Sequence, residues 1–254
     1  MKTLQGKKAI ITGASSGFGE AAAQLFARQG CDLLLIARRE ERLHQLKDKL
    51  KSTEVQVDIL VEDVRDHSSI NEKLQDRLAQ FTPDILINNA GLVKGLAKVW
   101  ETPEDDWETM FDTNVNSILN LTKQIIPGML QRRSGLIINV GSISGHQTYP
   151  GGGIYCATKF ALRAITDTLR MELAGTGVRA SYISPGMAET EFSQVRFNGD
   201  TEKAKEVYQG IEALKAEDIA EALLFIASRP PHVNIADLVL FPSQQASTTL
   251  VKRN

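Results

Sequence analysis

Seven short apolar runs, rich in β-branched residues, recur along the chain with longer amphipathic stretches between them. They are KKAIITG (7–13), DLLLIAR (32–38), VQVDILVEDV (55–64), DILINNAG (84–91), LIINVGSI (136–143), RASYISPG (179–186) and DLVLFPS (237–243). A strand wetted on one face alternates apolar and polar residues. Most of these runs are apolar at successive positions, as parallel strands covered on both faces must be. Between them, segments such as EERLHQLKDKLK (40–51), SSINEKLQDRLAQF (68–81) and EDIAEALLFIAS (217–228) carry apolar residues at helical spacing. This alternation predicts an α/β protein, a single-domain doubly wound parallel sheet spanning residues 1–254. No linker, repeat or low-complexity tract interrupts it. The polar stretch 187–210, MAETEFSQVRFNGDTEKAKEVYQG, breaks the rhythm and is expected to lie over the sheet edge as a lid.

In a sheet of this Rossmann type, ligands bind outside the carboxyl ends of the strands. Gly13, Arg38, Asp63, Asn88, Ser142 and Pro185 each fall at or just beyond the end of one of the first six runs. The first turn, TGASSGFG (12–19), places Gly13, Gly17 and Gly19 around Ser15, Ser16 and Phe18. Its spacing differs from G-x-G-x-x-G, but the physics is shared: a tight turn into a helix whose free N–H groups attract phosphate. A dinucleotide site usually shows an acid about 20 residues later for the ribose 2′-hydroxyl. Here Ala37 is followed by Arg38 and Arg39. Two guanidinium groups suit a 2′-phosphate, so the expected cofactor is NADP rather than NAD. The plainer reading is that the arginines solvate a helix start beside Glu40 and Glu41.

Tyr155 and Lys159 are four residues apart in GGGIYCATKF (151–160), one turn of a helix, and share a face. A free phenol titrates near 10, and a neighbouring ammonium favours its ionised form. Such a tyrosine can pass a proton to or from a carbonyl oxygen. Ser142 is placed to hold the same oxygen. Gly151–Gly153 either shape a ligand pocket or only turn the chain.

Taken together, these residues resemble the short-chain dehydrogenase/reductase family along nearly the whole chain. TGASSGFG is similar to the family's cofactor turn, NNAG (88–91) to its fourth-strand motif, and SPGMAET (184–190) to the segment bordering the nicotinamide. Asn114, Ser142, Tyr155 and Lys159 match the catalytic tetrad, including the thirteen-residue step from Ser142 to Tyr155. The resemblance implies that Tyr155 is the acid/base, that Lys159 lowers its pKa and holds the nicotinamide ribose, and that Ser142 orients substrate. It implies that Asn114 supports a proton-relaying water; the alternative is a residue that kinks a helix and satisfies backbone groups. Implied cofactor contacts are Gly13, Ser15, Ser16, Gly17, Phe18, Gly19, Arg38, Arg39, Asp63, Val64, Asn89, Ala90, Gly91, Tyr155, Lys159, Pro185, Gly186 and Thr190. Asp63 corresponds to an adenine-pocket acid, and Thr190 to the carboxamide contact.

The segments 189–200 and 234–247 are further similar to the NADP-dependent 3-hydroxy acid dehydrogenases, which oxidise serine, allo-threonine and related acids or reduce the matching semialdehydes. A small acidic substrate calls for a cation. Arg196 on the lid is the candidate, with Ser142 and Tyr155 completing the substrate site and Lys94 and Lys98 as rivals. Two alternatives stand beside this reading: a reductase of 3-oxoacyl thioesters, sugars or steroid-like ketones, and a non-catalytic dinucleotide sensor. The net charge of −2 points to neither a nucleic acid nor an anionic membrane. No apolar run reaches the roughly 18 residues of a membrane span. With no signal-peptide pattern either, a cytoplasmic protein is expected. Cys31 and Cys156 are read as buried small residues. His44, His67, His146 and His232 are too scattered for a metal site, and His146 has no evident carboxylate partner. The resemblance implies a homotetramer paired through helices around 104–130 and 154–174.

Overall fold

A computed structural model describes residues 2–197 and 199–254. Met1 and Asn198, which fall within the expected domain and lid, lie outside the described residues. All seven runs form strands: β1 (Lys8–Thr12), β2 (Asp32–Ala37), β3 (Val57–Val61), β4 (Ile85–Asn88), β5 (Gly135–Val140), β6 (Val178–Pro185) and β7 (Asp237–Leu240). They pair in parallel in the order β3-β2-β1-β4-β5-β6-β7. The helices are α1 (Gly17–Arg28), α2 (Glu40–Leu50), α3 (His67–Leu78), α4 (Glu104–Phe111), α5 (Ser117–Gln131), α6 (Gly153–Glu172), α7 (Phe192–Arg196), α8 (Thr201–Glu206) and α9 (Ala216–Ala227). Among the described residues, no helix is long and apolar enough to cross a membrane.

The continuous apolar runs resolve into two faces once folded. Ala9, Ile11, Leu33, Leu35, Ile85 and Ile87 join one buried cluster with residues of α1, α2 and α9. Their neighbours Ile10, Leu34, Ile36 and Leu86 join a second cluster with residues of α3 and α5. Full burial of such a side chain contributes about 1.5–3 kcal/mol, so both faces demand cover. Helices on both sides leave the strand ends as the place where polar groups can gather.

The strand order reverses between β1 and β4, which opens a crevice there. Its floor is tied across the seam. The Thr12 hydroxyl accepts from the backbone N–H groups of Asn89 (3.0 Å) and Ala90 (2.9 Å). The Asn89 amide donates back to the Thr12 carbonyl at 2.8 Å. One strand further, Asn88 and Asn139 stand in register and bond at 2.8 Å. Asn139 then donates to Thr166 of α6 at 2.8 Å, inside the buried interior.

The helix expected around 104–130 is instead two, α4 and α5, joined by a π-helical turn over Asp112–Asn116. Asn114 lies in that turn. Its amide donates to the Leu92 carbonyl (2.8 Å) and to Thr158 (3.1 Å), and its oxygen accepts from the Leu92 N–H (2.9 Å). Single π-helical turns of this kind are rare within α-helices, and this one coincides with the side chain that ties the helix to Leu92 and Thr158.

Removing the Asn139 amide would leave the buried Asn88 amide without that partner and Thr166 without its donor. Asn139→Ala is expected to destabilise the fold by about 2–3 kcal/mol. The shift in urea midpoint measures this, and a loss below about 0.5 kcal/mol would mean that the network is dispensable.

Candidate active site

At the carboxyl ends of β1–β6 lies a continuous cleft of about 450 Å³, a volume typical of small-molecule sites. Its walls include nearly every residue the sequence singles out. Gly13, Ser15, Ser16, Gly17 and Phe18 of the first turn line it, as do Arg38, Arg39, Asp63, Val64, Asn89, Ala90 and Gly91. At its other end stand Ser142, Tyr155, Lys159, Pro185, Gly186, Thr190 and Arg196. Gly19 and Asn114 support the cleft from behind. A β-carbon on Gly19 would collide with the Gly13 carbonyl and the Asn89 amide, so this glycine lets the helix start close against the turn.

The arginine end is strongly organised. Arg39 donates from Nε to Ser15 Oγ (3.0 Å) and from Nη2 to Ser16 Oγ (2.5 Å). Arg38 pairs with Asp63 at 3.5 Å, while Arg65 grips the same carboxylate at 2.7 Å. Burial raises the Asp63 carboxyl, but the Arg65 bonds and both guanidinium charges outweigh it and hold Asp63 below the usual carboxylate range. Thr113, also at the cleft wall, has a buried Oγ1 with no partner among the described residues. A polyhydroxylated, phosphorylated ligand suits this donor set: hydroxyls and a guanidinium at one end, an unsatisfied hydroxyl midway, and a glycine turn that admits close approach.

At the other end, α6 carries Tyr155 and Lys159 into the interior, where they are 7% and 4% exposed. Lys159 Nζ donates to the Val140 carbonyl at 3.0 Å and lies 5.8 Å from the Tyr155 ring centre. Burial pushes the ammonium down to about 8 from its ordinary 10.5. Burial pushes Tyr155 well above its ordinary value, and nearby Tyr149 adds to the rise; hydrogen bonding by Ser142 and the Arg196 charge oppose it. Burial and Tyr149 both favour the protonated phenol over the phenolate.

Ser142 caps a short 3₁₀ turn over Ile143–Gly145, accepting from Ser144 N–H at 3.1 Å, so its hydroxyl is held at the end of β5. The ring of Phe192 packs on Tyr155, with centres 5.8 Å apart. Arg196 donates to the Tyr149 hydroxyl (2.9 Å) and to the Gly95 carbonyl (3.2 Å), which closes the lid onto the loop after β4. Lys94 and Lys98 are absent from the cleft wall, and Lys98 instead pairs with Glu101. The run Gly151–Gly153 shapes the pocket through its middle residue. A β-carbon on Gly152 would strike the Tyr149 ring, which the glycine allows to sit beside Arg196.

His146 does have a carboxylate partner, contrary to the sequence reading. Its Nε2 lies 3.2 Å from Asp237 and 2.8 Å from Ser184 Oγ, contacts made by residues 38 and 91 positions away. It braces β6 against β7. Both cysteines are buried and free, as expected. Thr12, Thr113, Tyr149 and Phe192 were not singled out by the sequence.

The fold and the site together define an α/β protein of the dinucleotide-binding class, its cleft lined by a glycine turn and a buried tyrosine–lysine pair. The sequence pattern of the family described as short chain dehydrogenase matches residues 7–201. The chain is 43% identical over 256 positions to an NADP-dependent 3-hydroxy acid dehydrogenase of Schizosaccharomyces pombe, covering 100% of this chain and 99% of that one. It is 44% identical over 239 positions to a sulfoacetaldehyde reductase of Chromohalobacter salexigens, covering 93% and 94%. Among solved structures, the closed form of serine dehydrogenase complexed with NADP+ superposes with a TM-score of 0.88 at 40% identity, covering 97% and 99%. The chain belongs to the short-chain dehydrogenase family.

Lys159 makes a stability prediction. Its folded pKa lies below the unfolded value, so the charged form is disfavoured in the fold. The penalty is fully present below pH 8 and disappears as pH rises toward 10.5. Lys159→Met is expected to be about 2–3 kcal/mol more stable than wild type at pH 7. Thermal unfolding across pH 7–10 should show that gain shrinking as pH rises.

Proposed function

We propose that this protein is an NADP-dependent oxidoreductase acting on the CH–OH group of short 3-hydroxy acids, or on the matching semialdehydes. The observation that carries the reading is Arg196. The lid holds its guanidinium on the wall of the cleft that contains Tyr155 and Ser142, near enough for its charge to act on the phenol. A carbonyl oxygen between Ser142 and Tyr155 then leaves the acid group of a three- or four-carbon substrate facing a cation. The names of the S. pombe relative and of the serine dehydrogenase structure support the same class.

The residues that would hold NADP are the glycine turn with Ser15 and Ser16, Arg38 and Arg39 at the 2′-phosphate, Asp63 and Val64 at the adenine, and Thr190 with Pro185 and Gly186 at the nicotinamide. When bound, NADP delivers hydride to the substrate carbon or accepts it. Tyr155 donates its phenolic proton to the carbonyl oxygen in reduction and recovers it in oxidation. Ser142 holds that oxygen by hydrogen bond. Lys159 supplies positive charge beside the tyrosinate that forms, in a site dry enough for that charge to count. Asn114 fixes the backbone of Leu92 next to Gly91, the cleft residue against the Lys159 ammonium; that supports the positioning role and leaves a water relay as part of the proposal.

A sulfonate is a second anion that a guanidinium binds as readily as a carboxylate, and the C. salexigens relative brings sulfoacetaldehyde into the substrate set. Assembly as a homotetramer and residence in the cytoplasm belong to the same proposal. Leu119 on α5 and Phe160 and Met171 on α6 are large apolar side chains 44%, 39% and 70% exposed, which supports helix pairing between subunits. Two free, buried thiols suit a reducing compartment.

Two measurements test the reading. NADPH- and NADP-linked turnover of a panel of 3-hydroxy acids, semialdehydes, sulfoacetaldehyde, sugars and 3-oxoacyl thioesters should favour the small anions. Tyr155→Phe should lower kcat by about a thousandfold while leaving cofactor binding intact; turnover surviving in that variant removes the mechanism. Arg196→Ala should raise KM for a 3-hydroxy acid by about 10–100-fold and leave a neutral alcohol within about twofold. An equal effect on both substrates removes Arg196 from the anion site.

A further inference from the structure

The residue before lid helix α7 is Glu191, and its two carboxylate oxygens are divided between two arginines. Oε2 accepts from Arg39 at 2.7 Å and Oε1 from Arg42 of α2 at 2.6 Å. Burial opposes its ionisation, but these bonds outweigh that and keep Glu191 ionised below the usual carboxylate range. Arg39 thus spends Nε on Ser15, Nη2 on Ser16 and Nη1 on an anion supplied by the lid. The guanidinium assigned to the 2′-phosphate already carries an internal counter-ion.

A phosphate dianion and a carboxylate brought to one guanidinium repel each other, and Glu191 holds Nη1, the one Arg39 nitrogen not bonded to Ser15 or Ser16. We propose that Glu191 is a specificity-determining residue of the cofactor site: it competes with the 2′-phosphate for Arg39, and Arg42 retains it when Arg39 is taken. This inference rests on the NADP reading above. The arrangement sets the energetic worth of the 2′-phosphate by difference, since a phosphate bond at Arg39 Nη1 replaces the bond to the Glu191 carboxylate. It bears only on cofactors that carry the phosphate. A cofactor with a free 2′-hydroxyl leaves Glu191 where it is.

The test uses the intact protein and fragments that carry only the adenosine half of the cofactor. Calorimetry should show Glu191→Gln binding adenosine 2′,5′-bisphosphate about tenfold more tightly than wild type, with 5′-AMP changed less than twofold. The ratio of kcat/KM for NADPH to that for NADH should rise to match. Arg42→Ala should weaken the bisphosphate in the wild-type background, where Glu191 then falls wholly to Arg39, and have less effect in the Glu191→Gln background. Equal weakening of both fragments by Glu191→Gln would make Glu191 a brace for Arg39 and overturn the proposal, and so would no change in either. If wild type binds the bisphosphate no better than 5′-AMP, the NADP reading itself fails, which is a separate and distinguishable result.

Discussion

The seam between β1 and β4 is the contact on which the rest depends. A parallel sheet covered on both faces has no wet side, so polar chemistry is confined to the strand ends. At the point where strand order reverses, two ends part and a crevice forms. Such a crevice is useful only if its floor is rigid, and here Thr12 and Asn89 stitch it with reciprocal bonds between side chain and backbone. The glycine turn rests on that stitch through Gly13 and Gly19, and the loop toward Leu92 leaves from it. Asn89, expected as a cofactor contact, lines the cleft, and its amide also holds the turn in place through the Thr12 carbonyl.

Burial at the far end of the cleft sets a different balance. Dehydration raises the Tyr155 phenol and lowers the Lys159 ammonium, favouring the neutral form of each. A pair in water would favour ionisation of both. The fold therefore stores an unfavourable charge state at Lys159, relieved in part by one carbonyl, that of Val140. Catalytic groups are often held this way, at a cost in stability that the core must offset. The apolar clusters on both faces of the sheet are where that offset resides.

Much of this was legible in the sequence, for a physical reason. All seven strands coincide with the apolar runs to within one residue at their starts or fall inside them, because continuous burial leaves a local signature. The glycine turn and Ser142 were legible because they follow directly on strand ends, and Tyr155 and Lys159 because they stand one helical turn apart. What escaped depends on contacts between distant positions. Glu191 meets Arg39 across 152 residues, and His146 meets Asp237 across 91. No local pattern records such a pairing. The π-helical turn at Asn114 was hidden similarly, since the partner met there is the backbone of Leu92, 22 residues earlier. Tyr149 could have been found by asking what large side chain Gly152 makes room for.

The lid makes the cleft one site rather than two. Within six residues, Glu191 reaches Arg39 and Arg42, Phe192 packs on the ring of Tyr155, and Arg196 meets Tyr149 and the Gly95 loop. Helix α7 is little more than one turn, too short to be stable alone, so its position is set by those three anchors. Two of the three are cations or partners of cations aimed at anions, one at the cofactor end and one at the substrate end. One short, polar element thus places a carboxylate at one part of the cleft wall and a guanidinium at another, which is why its sequence departs from the apolar runs that build the sheet.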